Sequence, residues 1–500
     1  MKQTHLPLCE SKIRLISFPN DSVRPKRSRI GSVFIARLVA SAGLIFVTFL
    51  TTVNISHHRY NYQHRRLELN GRRDGESDDH NLMILRDSYT AKNWGTHKPI
   101  SQGATIEVNT RKSSKIAYAV TITACPGSQQ NRTEPERPNF FVEDSAAVLQ
   151  YSIHRNSRRG HGSGRYDYQM YAIYHPQAAA CALPLADLGY TLLQRDTPVK
   201  VKDIRSQYLR ENIEKGGCCG EKELIKFEAF TLTDHPVVVL LDLDVLILKP
   251  LDELFDWMLY GKRASDFHLM RPDQTVPSHV DLFHTNDYAM VNPEDKVKPA
   301  QGGFIVARPS RVIYDDILDI VREGDFHDNY GWGNQTGIFW GSMTFQGLIP
   351  YYFLFKKPGH SVELNWCIHN NMVSPAFEED IRQGETKARC YTNEDACEDC
   401  QKRPISDLYS VHFTNCQKPW KCSRHAGRTP GNLLCRQMDH AWYKVRSEME
   451  QSWGRSGHGN GVAWKDGSHY FGYCHGYFPK SYELIQPPYG KQFSNWTAPA

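Results

Sequence analysis

From residue 115 onward, short apolar runs alternate with longer amphipathic ones, the spacing of a strand–helix–strand fold. Residues 115–123 read as a first strand, 146–154 as the helix that follows, and 168–174 and 189–193 as the next two strands. Residues 221–233 are helical in pattern, with Leu224, Phe227 and Phe230 on one face. They lead through Asp234-His235-Pro236 into five consecutive apolar residues, 237–241, in which Val237, Val238 and Val239 are β-branched. Such a run predicts a strand buried on both faces. Residues 264–270, 301–307 and 409–413 are read as further strands, 251–255 as the start of a helix and 442–453 as a late helix. The alternation predicts an α/β fold, doubly wound about a mostly parallel central sheet. No internal repeat is present.

The region ahead of this pattern is organised differently. Residues 1–37 form a basic tail, and 38–55 run eighteen residues without a charge, enough for one membrane span. The tail is too long for an ordinary cleaved signal, so a retained signal anchor is expected. Residues 56–112, rich in Arg, Asp, Asn, His and Gly, read as a stem. Basic residues flank the apolar segment on both sides, so charge does not set its orientation. Sequons at Asn131, Asn334 and Asn495 and the cysteines place the remainder in a lumen. Of 13 cysteines only Cys9 precedes the span, and an even number after it fits disulfides. Cys397 and Cys400 have the spacing of a zinc half-site, but no second pair follows at finger spacing, so disulfides are the reading taken. A net charge of +5 without a reader motif gives no nucleic-acid partner.

The candidate chemistry gathers at the end of the central strand, where Asp242-Leu243-Asp244 carries two carboxylates at i, i+2. In extended backbone both point to one side. Two anions held together call for a divalent cation, and the carboxyl ends of such strands are where α/β sheets bind ligands. Two solvated acids in a loop are the plain alternative. Gly302-Gly303 opens the strand 301–307, where backbone must closely approach something.

Several stretches then fall into one order. Lys226-Phe227-Glu228-Ala229-Phe230-Thr231-Leu232-Thr233, Asp242-Leu243-Asp244, Leu251-Asp252-Glu253-Leu254-Phe255, Gln301-Gly302-Gly303-Phe304-Ile305-Val306-Ala307 and His412-Phe413-Thr414-Asn415-Cys416-Gln417-Lys418-Pro419-Trp420 together resemble the family 8 glycosyltransferases, the glycogenin-like retaining enzymes of GT-A fold. The resemblance spans roughly residues 113–425, leaving 426–500 as a Cys- and aromatic-rich extension. It implies a catalytic domain that moves a hexosyl or uronosyl group from a UDP-sugar to a glycan, protein or lipid acceptor, in a single-pass type II protein of the Golgi membrane. It implies Asp242, Asp244 and His412 as ligands of Mn²⁺, with Mg²⁺ less suited to a nitrogen ligand. Lys226, Thr121, Thr123, Leu243, Gly302, Gly303, Asn415 and Lys418 would then bind the nucleotide sugar, and Gln346 would stand at the anomeric carbon. Trp332 and Trp340 are candidates to stack on an acceptor sugar, with core burial as the alternative.

Two departures from the family pattern stand out. Asn415 replaces a glycine, a turn that asparagine's tolerance of left-handed backbone would preserve. Phe345 replaces an acid beside Gln346, which disfavours self-glucosylation. The alternative these changes raise is a non-catalytic, disulfide-rich lumenal binding protein on a degenerate transferase scaffold.

Overall fold

The computed structural model describes residues 115–487 except 126–139, 272–273, 275–276, 278, 383–384, 423–432, 460–469 and 477–480. The tail 1–37, the apolar segment 38–55, the stem 56–112 and the sequons at Asn131 and Asn495 lie outside the described residues. Among the described residues, no helix is long and apolar enough to cross a membrane.

The elements that matter run in this order: β1 (Lys115–Ile122), α1 (Phe140–Arg155), β2 (Asp167–Tyr174), β3 (Tyr190–Gln194), a 3-10 helix (Gly220–Thr231), β4 (Val238–Leu241), β5 (Val245–Ile247) and α2 (Asp252–Tyr260). Then come β6 (Leu282–Asn286), β7 (Ala300–Ala307), α3 (Arg311–Glu323), the short β8 (Phe326–His327) and β9 (Gly331–Trp332), and α4 (Phe345–Tyr351). β10 (Ser361–Glu363), β11 (Phe377–Arg382), β12 (Glu385–Cys390), β13 (Ser410–His412) and α5 (Leu433–Ser452) complete the set.

The central sheet has seven strands in the order β10-β6-β7-β4-β1-β2-β3. β7 runs antiparallel to both its neighbours, and every other pairing is parallel, so the mostly parallel sheet expected from the sequence is present. Each face is covered because strand side chains alternate. Ile116, Tyr118 and Val120 of β1 pack with Val239 and Leu241 of β4 against α1, α2 and α5. Ala117, Ala119, Val238 and Leu240 point the other way, against the 3-10 helix, α3 and α4. α3 shows how locally these elements are encoded. The Ser310 hydroxyl accepts the Ile313 amide at its start, Ile313, Ile317 and Val321 face the sheet, and Gly324 closes it in the left-handed region at φ 71°.

Two elements depart from the sequence expectations. Residues 264–270 form no sheet strand. Ala264–Leu269 is a 3-10 helix, because the Asp266 carboxylate accepts the Arg263 amide and closes a turn. The strand in this part of the chain is instead β6, whose polar His284 and Asn286 obscure it. The helix before β4 is 3-10 throughout, and its inward residues Leu224, Phe227 and Phe230 recur every third position, matching three residues per turn.

Candidate active site

The strand order fixes where a ligand can enter. From β1 the chain builds outward through β2 and β3, and β4 then returns to the other side of β1. This reversal opens a crevice at the carboxyl ends of β1 and β4, the topological switch point at which open α/β sheets bind their ligands. In register, Val120 lies opposite Leu241, so half-buried Thr121 and Thr123 follow at the same edge as Asp242.

Asp242 to Asp244 do not continue the strand as expected; they make the turn into β5, with the Val245 amide donating to the Asp242 carbonyl at 3.2 Å. The carboxylates converge nonetheless. β13 pairs antiparallel with β5 and sets His412 opposite Val245, while the Phe413 amide donates to the Asp244 carbonyl at 3.0 Å. One ligand atom from each of Asp242, Asp244 and His412 therefore lies within 4.8 Å of the others. The set fits a divalent cation of borderline hardness: two carboxylates, one imidazole, and a buried His412 Nδ1 without a hydrogen-bond partner among the described residues. Asp242 keeps 34% of its side chain exposed, so the cluster opens to the crevice.

Each acid also has a lysine. Lys226, buried in the 3-10 helix, donates to Asp242 Oδ1 and to the Gly302 carbonyl, both at 3.0 Å. Burial alone would lower its ammonium pKa, but Asp242 and Glu223 outweigh burial and raise it. Burial likewise pushes the Asp244 carboxyl up, yet Lys418 and His412 hold it well below the usual carboxylate range. Lys418 donates to both Asp244 and the Phe413 carbonyl. Of the two glycines, Gly303 leaves no room for a side chain and Gly302 leaves little. A Cβ on Gly303 would sit 2.5 Å from His412 Cε1 and 2.8 Å from Asp242 Oδ2, and one on Gly302 would meet Lys226 Nζ at 3.2 Å.

Gln346 is buried in the first turn of α4 and lies next to Gly302. Phe345, where the resemblance expects an acid, is fully buried, with its ring 4.7 Å from that of Phe227. Asn415 is exposed, donates to Ser374 Oγ at 3.3 Å, and turns without the left-handed backbone anticipated for it. Leu243 is half-buried between the two acids. Trp332 is core: its indole N–H donates to the Ser342 carbonyl at 2.9 Å.

Sequence reasoning missed three residues here. Asp287 follows β6 as Asp242 follows β4, and burial raises its carboxyl to about 6 although His412 pulls it down. Gln301 accepts the Gly303 amide at 2.5 Å. Asn370, in the left-handed region at φ 56°, donates to Thr285 Oγ1 at 3.0 Å, and its buried Oδ1 has no partner among the described residues. A strand end followed by an acid was the available signal for Asp287, but β6 itself went unseen.

No protein-family model matches the chain. No curated protein matches it. Among solved structures it is similar to mouse xyloside xylosyltransferase 1, at 13% identity and TM-score 0.34 over 61% of this chain and 99% of that one. It is also similar to the galactosyltransferase LgtC in complex with donor and acceptor sugar analogues, at 12% and 0.33 over 65% and 95%. A third is the glycosyltransferase GlyE of Streptococcus pneumoniae, at 12% and 0.34 over 69% and 64%. Likenesses this slight assign neither family nor reaction, so the chemistry rests on the residues of the crevice.

Proposed function

We propose that the crevice binds a UDP-sugar through a divalent cation, Mn²⁺ or Mg²⁺, and transfers its hexosyl or uronosyl group to an acceptor with retention of configuration. The observation that carries this reading is the convergence of Asp242, Asp244 and His412 at the switch point, with Lys418 beside them. A cation held there would neutralise the diphosphate and stabilise the leaving nucleoside diphosphate.

The chain's own groups do the rest. Lys418 supplies a point charge to the phosphates from the loop after β13. Lys226 keeps Asp242 and the Gly302 carbonyl in place, so that this carboxylate stays oriented. Gly302 and Gly303 let the start of β7 approach the donor closely. The Gln346 amide stands at the sugar, where a neutral group orients the anomeric centre without taking a proton. The acceptor's proton then passes to the leaving phosphate, consistent with retention. With Phe345 sunk in the core, Asp287 is the carboxyl at this edge, outside the candidate metal ligands and among the described residues, that we assign to receive sugar hydroxyls. Phe345 and Asn415 are the two departures that favour the scaffold alternative, and the complete candidate metal-ligand set weighs against it. In the same reading, 38–55 anchors the protein in the Golgi membrane with the crevice in the lumen.

Calorimetric titration of the full chain with UDP tests the site. Binding should require Mn²⁺ and should disappear in the Asp242→Ala/Asp244→Ala double variant. Absence of binding by folded, oxidised protein, or binding indifferent to both changes, would overturn the reading.

A further inference from the structure

The segment from the β8–β9 turn to α4 carries an unusual surface. Tyr330, Ile338 and Trp340 are 62%, 45% and 51% exposed, three large apolar side chains within eleven residues. The loop is built to hold them out. The Gly337 amide donates to the Tyr330 carbonyl at 2.9 Å and brings the two arms together. Trp332 below pins both ends, its amide donating to Thr336 Oγ1 at 2.8 Å and its indole to the Ser342 carbonyl at 2.9 Å. Phe339 turns inward between Ile338 and Trp340, so those two face solvent.

The position of this surface gives it a use. Gly341 follows Trp340 directly, and a Cβ there would lie 2.5 Å from Gln346 Oε1. On its other side Gln346 borders Gly302, which borders Lys226 and so Asp242. The sequence of neighbours is therefore ligand cluster, Gly302, Gln346, Gly341, Trp340. The candidate cation ligands stand at one end of that series and the exposed indole at the other.

We propose that Trp340 is the floor of the acceptor site and that the acceptor is a saccharide, whose pyranose ring packs its C–H face on the indole. This rests on the transferase reading. The composition of the loop favours a sugar over a lipid chain or a peptide. Exposed Asp328 and Asn329 precede Tyr330, and exposed Asn334 and Gln335 lie between it and Ile338, so Asp328, Asn329 and Gln335 offer carboxylate and amide partners for hydroxyls and the surface forms no continuous apolar groove for an acyl tail. Among the described residues no unpaired strand edge of this loop is long enough to receive an extended peptide, since β9 has two residues and pairs with β8.

Saturation-transfer NMR on the full chain tests the assignment. The probes are lactose, cellobiose, xylobiose and methyl β-galactopyranoside, with a mixed-sequence heptapeptide and phosphatidylcholine vesicles in parallel. At least one saccharide should receive saturation from the wild type, weaken tenfold or more in Trp340→Ala, and recover to within about threefold in Trp340→Phe. Mn²⁺-dependent UDP titration of the same samples reports the donor site separately. A saccharide signal equal in wild type and Trp340→Ala, no signal from any saccharide, or binding confined to the peptide or the vesicles would each overturn the proposal. Loss of UDP binding in the wild type would instead remove the transferase reading beneath it.

Discussion

At the scale of single residues the crevice depends on the absence of two side chains as much as on the presence of five. Gly303 lies in ordinary β backbone, so alanine there meets no φ barrier; the obstacle is what the added methyl would strike. It would displace His412 and Asp242 together, two members of the ligand set. Gly303→Ala should therefore lower Mn²⁺-dependent UDP affinity at least tenfold while leaving the unfolding temperature within a few degrees of wild type. Gly302→Ala should do less, because its methyl would meet Lys226 Nζ only at 3.2 Å and ring or chain carbons at 3.4 Å and beyond, contacts that a few tenths of an ångström relieve. Equal losses in the two variants, measured by the same titration, would break the steric account. Both glycines were legible in the sequence as points of close approach. The atoms they approach were not, because Lys226, Asp242 and His412 come from three segments that only the fold brings together.

Elements were legible where their pattern was pure and obscure where chemistry interrupted it. β4 is four buried aliphatic residues, and no other reading of it was available. β6 hides because it carries His284 and Asn286, polar residues that interrupt its apolar pattern. The segment 369–371, which threads beside β13, is a similar case, and its cost can be measured. His369 is fully buried between the rings of Phe304 at 6.0 Å and Tyr409 at 4.8 Å, and neither ring nitrogen has a hydrogen-bond partner among the described residues. Burial, reinforced by His268 and Lys249, pushes its pKa down to about 3 from 6.5. Below pH 6.5 the unfolded chain therefore takes up a proton that the native state refuses. The stability this residue permits is complete above that pH and is lost as pH falls toward 3. The slope attributable to one such group is about 1.4 kcal/mol per pH unit. His369→Phe keeps a ring in an aromatic slot and removes the titration. Chemical unfolding between about pH 4 and pH 6 should show a dependence shallower by roughly that amount. An unchanged slope would mean that the imidazole is hydrated or protonated in the native state.

At the scale of the whole molecule, the cysteines connect the C-terminal residues to the crevice. Cys397 and Cys400, the pair with zinc spacing, belong to separate disulfides, with Cys390 and Cys367 respectively. Cys416 and Cys422 flank Lys418 and bridge to Cys435 in α5 and to Cys474. Between them the Pro419 carbonyl accepts the Tyr443 hydroxyl at 2.8 Å, and Trp420 lies between the rings of Phe141 at 6.4 Å and Trp442 at 6.2 Å. The loop that presents Lys418 to Asp244 is thus held at both ends and along its middle by residues far beyond the transferase-like signature. None of this connectivity can be read from spacing, since pairing follows from the fold and not from the order of cysteines. Removing the Cys422–Cys474 bridge, with its separation of 52 residues, should destabilise the protein by up to about 4 kcal/mol on loop entropy alone. The more specific consequence concerns Lys418. Cys422→Ser/Cys474→Ser, studied well below its unfolding temperature, should bind UDP with Mn²⁺ more weakly than wild type, because the ammonium is no longer fixed beside Asp244. Lys418→Ala should weaken binding too, and combining it with the bridge variant should add little further. A double-mutant cycle on UDP affinity decides the point: strong non-additivity places the bridge's effect in Lys418, whereas simple addition would mean that the disulfide stabilises the fold without positioning the lysine.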